Sequence, residues 1–60
     1  MSLNLSANIT DPDGFYDELL QAHTDLSDAE SEAYNARLIL ILANHIGDRE
    51  ILREALEAAI

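Results

Sequence analysis

The sequence predicts an all-α protein of three short helices that assembles as a homodimeric helical bundle. Capping residues divide the chain into segments of helical length, and apolar residues recur within those segments every three or four positions. The composition, with 5% aromatic residues and no valine, also favours helices over strands. We expect one helical domain at residues 11–60, preceded by an N-terminal arm at residues 1–10.

Residues 1–10 alternate between apolar and small polar side chains. In an extended chain this period of two places one set of residues on a single edge: Leu3, Leu5, Ala7 and Ile9. The alternation predicts an extended arm that lies with its apolar edge on another surface. A flexible, frayed terminus accounts for the same residues equally well, so both interpretations stay open.

The first helix is predicted at residues 12–25. Asp11 can cap it, and Pro12 suits the first helical position because an N–H there has no helical partner to lose. Apolar residues then follow at spacings of four, three and four, which predicts one inward face: Phe15, Leu19, Ala22 and Leu26. The link to the next helix is short, so we expect the two helices to pack antiparallel.

The central helix is predicted at residues 28–46. Ser27 and Glu30 have the spacing of a capping box, and Gly47 provides a stop. The helix has two apolar or small-residue faces. One contains Ala29, Ala33, Ala36, Leu40 and Ala43, and the other contains Ser31, Asn35, Leu38, Leu42 and His45. Two short flanking helices can cover only one of these faces, so the other is expected to meet a partner chain.

The third helix is predicted at residues 49–59, capped by Asp48, with Leu52, Ala55, Leu56 and Ala59 facing inward. A chain of 60 residues rarely gains more than about 3–5 kcal/mol from its own core. The absence of cysteine removes disulfides and thiolate metal sites as alternatives. Self-association remains, and we expect a homodimer; which face of the central helix forms it stays open.

The formal net charge of −9 excludes several kinds of partner. Nucleic acids and anionic membrane surfaces would repel so acidic a chain. The longest apolar run is far shorter than the roughly 20 residues that span a bilayer, and the N-terminus lacks the basic region of a secretory signal. We therefore expect a cytoplasmic protein that binds neither nucleic acid nor membrane.

Three polar residues of the central helix are candidates for an interface or ligand site: Arg37, Asn44 and His45. Arg37 has Ala33 and Ile41 four residues to either side, so no acid on its own face can pair with it. We expect it to reach a carboxylate on the first helix or on a neighbouring subunit. Asn44, one heptad later, can hydrogen-bond across the same seam and fix its register.

No catalytic or metal-binding pattern accompanies these residues. The Glu-x-x-His motif of di-metal bundles is absent, because Leu20 and Leu42 stand three residues before His23 and His45. The sequence also lacks a glycine-rich phosphate loop and a serine nucleophile elbow. We expect a non-enzymatic protein without metal or cofactor that binds itself or another protein. The alternative is a small ligand-binding or catalytic accessory subunit that uses the three polar residues.

The segment from Asn35 to Asp48 resembles a family of short bacterial proteins described as a domain of unknown function. The likeness extends to Asp11–Tyr16, to His23 and to Leu26-Ser27, and so covers nearly the whole chain. It brings no catalytic residue. It implies an accessory role beside oxidoreductases of aromatic catabolism.

Overall fold

The computed structural model describes residues 2–60 and shows three α-helices joined by short turns. Helix α1 spans Pro12–Ala22, α2 spans Asp28–Ile46 and α3 spans Arg49–Ala58. No strand occurs in the described residues, which confirms the prediction of an all-helical chain with three helices for this range. Met1, the first residue of the predicted arm, lies outside it.

Helix α1 begins at its predicted cap but ends before its predicted end. The Asp11 carboxylate accepts a hydrogen bond from the Gly14 backbone N–H over 3.1 Å. The helix ends at Ala22, so the prediction of a helix over residues 12–25 is wrong for the last three residues. They form a turn instead, in which Asp25 has a left-handed backbone with φ of 65°.

Helix α2 has the predicted bounds because both of its caps form. The Ser27 backbone N–H donates to Glu30 Oε1 over 2.9 Å, and the Glu30 N–H donates to Ser27 Oγ over 3.2 Å. These two bonds satisfy donors that the first helical turn would otherwise leave unpaired. At the other end Gly47 adopts φ of 73° and donates its N–H to the Ala43 carbonyl over 2.9 Å. This left-handed residue ends the helix.

Helix α3 follows α2 after a connection of two residues, Gly47 and Asp48. Asp48 Oδ1 accepts hydrogen bonds from the backbone N–H groups of Glu50 and Ile51, over 2.9 and 3.1 Å. The helix ends at Ala58, one residue before the predicted end.

The helices that pack together are α2 and α3. Among residues 2–60 these are the two helices whose Cα atoms approach within 8 Å of each other. Packed helices have axes about 8–10 Å apart. The expected antiparallel packing of α1 along α2 is therefore wrong for the single chain, and α1 is attached to α2 through the turn that follows it.

The N-terminal arm has no helix or strand in residues 2–11. The Leu3 backbone N–H donates to Glu54 Oε2 over 3.2 Å, and the Leu3 side chain is half-buried, so the start of the described chain contacts α3. Leu5 and Ile9 remain exposed. The apolar edge predicted from the alternating pattern is thus covered only at its beginning.

The described chain contains no fully buried side chain. Its accessible surface is 5424 Å², whereas a folded monomer of 6.6 kDa exposes about 3900 Å² by the usual size scaling. Its radius of gyration is 13.2 Å, against about 10 Å for a compact domain of this length. Caps and turns define the three helices, but residues 2–60 of a single chain do not enclose a core.

None of the helices in the described part of the chain combines the length and the apolar character needed to cross a bilayer.

Candidate functional site

An open apolar groove lies between the C-terminal half of α2 and α3. Its volume is about 500 Å³, and every residue that lines it is apolar: Ile39, Leu42, Ala43, Ile46, Leu52, Ala55, Leu56 and Ala59. In α2, and in α3 together with its C-cap residue Ala59, these residues follow the spacing i, i+3, i+4, i+7, which is one face of an α-helix. Each helix therefore contributes one continuous apolar stripe to this α2–α3 groove.

The groove combines large and small side chains. Ile39, Leu42, Ile46 and Leu56 are large and remain exposed, although they face the space between two packed helices. Alanines lie between these large side chains on both helices. The surface therefore has both ridges and depressions, and helices pack by fitting the ridges of one into the grooves of another.

Three consecutive residues show that the middle of α2 is exposed on several sides. Ile39, Leu40 and Ile41 are 63%, 70% and 66% exposed. Successive residues of a helix point about 100° apart, so these three side chains point in three different directions. Ile39 lines the α2–α3 groove, whereas Ile41 lies beside Arg37 and Tyr34. The single chain thus leaves the middle of α2 uncovered on several sides.

The segments that flank α2 contact different halves of it. The turn after α1 lies against the N-terminal half, where Ser31 and Tyr34 are half-buried. Helix α3 lies against the C-terminal half, where Ala43 is half-buried. On the small-residue face Ala33 and Ala36 remain exposed. Neither predicted face is covered along its whole length.

A cluster of His23, Ser31 and Tyr34 holds the turn after α1 against α2. His23 Nδ1 lies 3.0 Å from Ser31 Oγ, a hydrogen-bonding distance, and the His23 and Tyr34 rings meet edge to face with centroids 5.1 Å apart. All three side chains are half-buried. Sequence reasoning missed this cluster, because it depends on the fold of a turn that the pattern assigned to helix.

A serine beside a histidine can also be a nucleophile and its base. Acyl transfer needs, in addition, free N–H donors that stabilise a developing oxyanion. Here the Ser31 backbone N–H donates within the helix to the Ser27 carbonyl over 2.8 Å. The geometry therefore supports a structural role for the cluster.

The three residues singled out from the sequence lie exposed on α2 and do not meet in the single chain. Arg37 and Asn44 share a face but stand seven residues apart, about 10 Å along the helix. His45 points about 100° away from Asn44. Arg37 lines a small pocket of about 150 Å³ with Tyr34, Leu38 and Ile41, and this pocket contains neither of the other two.

No side-chain hydrogen bond within residues 2–60 involves Arg37, Asn44 or His45. The other residues that line the Arg37 pocket are Tyr34, Leu38 and Ile41, and none of them carries a carboxylate. A carboxylate partner from a neighbouring subunit therefore remains a prediction, as does a site built from the three residues.

Most of the other side-chain hydrogen bonds in residues 2–60 cap the starts of helices. Hydrogen bonding to Ser27 holds the pKa of the Glu30 carboxyl below its usual value of 4.5, and the Ser27 backbone N–H contributes more to this shift than the Ser27 side chain does. This shift has a sufficient cause in the capping box. Among the residues that the structure describes, no three histidine or acidic side chains are grouped to hold a metal ion. The described chain thus offers an apolar binding surface and no convergent set of reactive groups.

Comparison with known proteins identifies a family for this chain. No curated protein and no solved structure matches the chain significantly. The family model DUF2783, whose description is a protein of unknown function, matches residues 3–60. This range includes both segments that suggested a family of short proteins of unknown function, and it confirms that resemblance. The chain belongs to the DUF2783 family.

Proposed function

We propose that this protein is a small non-enzymatic helical protein that acts by binding protein chains, and that it first binds a second copy of itself. The observation that supports the proposal is the absence of any fully buried side chain in residues 2–60, together with an open groove lined only by apolar residues. Exposed apolar patches of this kind mark protein interaction sites.

The amount of exposed surface supports an interface of ordinary size or larger. The chain exposes about 1500 Å² more than a compact monomer of its mass. The N-terminal arm contributes part of this excess, because Leu5 and Ile9 are uncovered. Even half of the excess equals the roughly 800 Å² that each partner buries in a standard protein interface.

The chemistry of the surface supports binding rather than catalysis. A ligand or substrate site normally sets a few convergent polar groups within an apolar pocket, and these groups orient the bound molecule. The α2–α3 groove has none among its lining residues. The alternative of a ligand-binding or catalytic subunit would need residues of another chain to complete a site around Arg37, Asn44 or His45.

The net charge is compatible with self-association through an apolar surface. Two copies that each carry a formal charge of −9 repel each other, and salt screens that repulsion. Association of identical chains should therefore strengthen as ionic strength rises. Binding of a basic partner would weaken under the same change.

Sedimentation equilibrium combined with thermal unfolding tests the proposal. We expect a particle whose mass is a multiple of 6.6 kDa. For a dimer that unfolds as it dissociates, a hundredfold increase in concentration adds about 2.7 kcal/mol and raises Tm by about 10 °C. A folded monomer with the same Tm across a hundredfold dilution would contradict self-association.

A further inference from the structure

We infer that the α2–α3 groove is filled by the same surface of a second copy, in a two-fold symmetric interface in which the two α2 helices run antiparallel. This inference rests on the proposed function and adds the surface, the occupant and the orientation. The assembly would be a four-helix bundle made of α2 and α3 from both chains.

The shape of the groove surface supports a second copy of the chain as its occupant. A two-fold interface places the same patch of both chains face to face, so the patch must be complementary to itself. The α2–α3 groove meets this requirement, because Ile39, Leu42 and Leu56 project from it while Ala43 and Ala55 leave depressions. The large side chains of one copy can enter the depressions of the other, as ridges enter grooves in helix bundles.

The area available agrees with this occupant. An obligate homodimer buries about 2000 Å² or more in total, mostly apolar. The excess surface of about 1500 Å² per chain, reduced by the share that belongs to the arm, leaves enough for such an interface. The same pairing would give the groove residues the burial that the single chain does not provide.

The distribution of charge favours a second copy over a basic partner. No residue that lines the groove is charged, so the groove offers a basic partner nothing to pair with. On α3 the three glutamates, Glu50, Glu54 and Glu57, fall on the arc opposite the groove stripe by helical spacing. The repulsion between two acidic chains is thus weakest where these surfaces would meet.

Charge also selects the antiparallel orientation. The first turns of α2 carry Asp28, Glu30 and Glu32, whereas the rest of the helix, residues 33–46, contains no acidic residue. Parallel helices would place the two acidic ends side by side, where like charges repel. Antiparallel helices separate the two acidic ends and also align the helix dipoles favourably.

A matched pair of substitutions tests which surface is used. Ile39 and Leu40 are neighbours with nearly equal exposure, but only Ile39 lines the groove. Ile39→Gln and Leu40→Gln therefore affect the single chain similarly. Since each change occurs twice in a dimer, we expect Ile39→Gln to raise the dimer Kd by about a hundredfold or more, and Leu40→Gln by less than about threefold.

Sedimentation and circular dichroism distinguish the outcomes. Loss of helical signal together with dissociation in Ile39→Gln, without either change in Leu40→Gln, supports the inference, because an obligate dimer unfolds when it separates. Equal effects of the two substitutions, or a larger effect of Leu40→Gln, would overturn the inference and leave the proposed function standing. A folded wild-type monomer would overturn both.

The distance between two spin labels, one on each chain, tests the antiparallel orientation separately. The protein contains no cysteine, so Glu32→Cys gives a single attachment point for a spin label. Antiparallel helices centred on the stripe from Ile39 to Ile46 place the two labelled backbones about 30 Å apart. Parallel helices place them about 10 Å apart, and such a distance would overturn the antiparallel arrangement.

Discussion

The turn between α2 and α3 depends on a backbone conformation that only one residue, Gly47, supplies. Its φ of 73° lies in the left-handed region, where an L-residue brings its Cβ too close to the following carbonyl oxygen. A Cβ added at Gly47 would meet nothing closer than the Asn44 carbonyl oxygen, at 3.7 Å, which is an ordinary contact. The cost of Gly47→Ala should therefore come from the backbone and not from a collision.

The expected destabilisation is about 1 kcal/mol per chain, from the left-handed penalty for an L-residue. The entropy of unfolding scales with length, so 1 kcal/mol corresponds to a fall in Tm of about 8 °C for a chain of this size. Gly47→Asn should cost less, because asparagine tolerates this conformation better than alanine does. Thermal unfolding followed by circular dichroism at fixed protein concentration measures both shifts.

A chain that carries D-alanine at position 47 is the sharpest control. It contains the same atoms as Gly47→Ala, but its preferred φ is positive, and it restricts the unfolded chain. We expect Tm to rise by about 3–8 °C, which corresponds to about 0.4–1 kcal/mol. If the L- and D-variants shifted Tm in the same direction, the conformational explanation would be wrong, and a contact between the added methyl group and another chain would be the better one.

Three further predictions concern the N-terminal half of α2. Ser27→Ala removes the hydroxyl that accepts the Glu30 N–H over 3.2 Å, and should cost about 1 kcal/mol and lower Tm by about 8 °C in a thermal melt. The pKa of Glu30 in the folded chain lies below its usual value of 4.5. The charged Glu30 carboxylate therefore stabilises the fold fully above pH 4.5, and this stabilisation is lost as the pH falls through the folded-state pKa. Wild type should therefore lose stability relative to Glu30→Gln below about pH 4.5, and a constant difference between neutral and acidic pH would contradict this. Ser31→Ala removes the hydrogen-bond partner of His23 Nδ1 and should lower the free energy of unfolding in urea by about 0.5–1.5 kcal/mol. Tyr34→Phe keeps the ring contact with His23 and should lower it by less than about 0.5 kcal/mol. Equal losses would argue against the structural role of the cluster.

Most helix bounds could be predicted because they depend on short-range chemistry. Asp11, Ser27, Gly47 and Asp48 satisfy or end hydrogen bonds within four residues of their own position, and such interactions can be recognised from spacing alone. The end of α1 could not be predicted in this way. The apolar spacing continues through the turn, whereas the left-handed Asp25 turns the backbone away from the helix.

The packing was harder to predict than the helices. Periodicity shows which residues share a face, but it does not show what that face will meet. The sequence predicted that flanking helices would cover one side of α2, whereas the structure puts the turn after α1 and helix α3 on opposite halves of it.

The candidate site was predictable only in part. Periodicity places the groove residues of α3 on an inward face, and it places Leu42 and Ala43 on the two faces of α2. The groove between the helices also needs the geometry of the turn at Gly47, which periodicity does not give. Arg37, Asn44 and His45 stood out because they are polar residues in an apolar helix. Polarity alone does not bring side chains together: Arg37 and Asn44 lie about two turns apart on α2, and His45 points about 100° away from Asn44.

The apolar run from Leu38 to Ala43 makes the chain prone to aggregate whenever α2 unfolds. It is a six-residue segment without charge, proline or glycine and with two β-branched residues, which is the composition of segments that stack as cross-β fibrils. Inside α2 its backbone N–H and C=O groups bond along the helix and cannot pair with another strand. The caps at Ser27 and Gly47 thus help to keep this segment out of the extended form in which identical chains assemble irreversibly. Heating a concentrated sample through its unfolding transition should leave aggregate rather than recoverable protein.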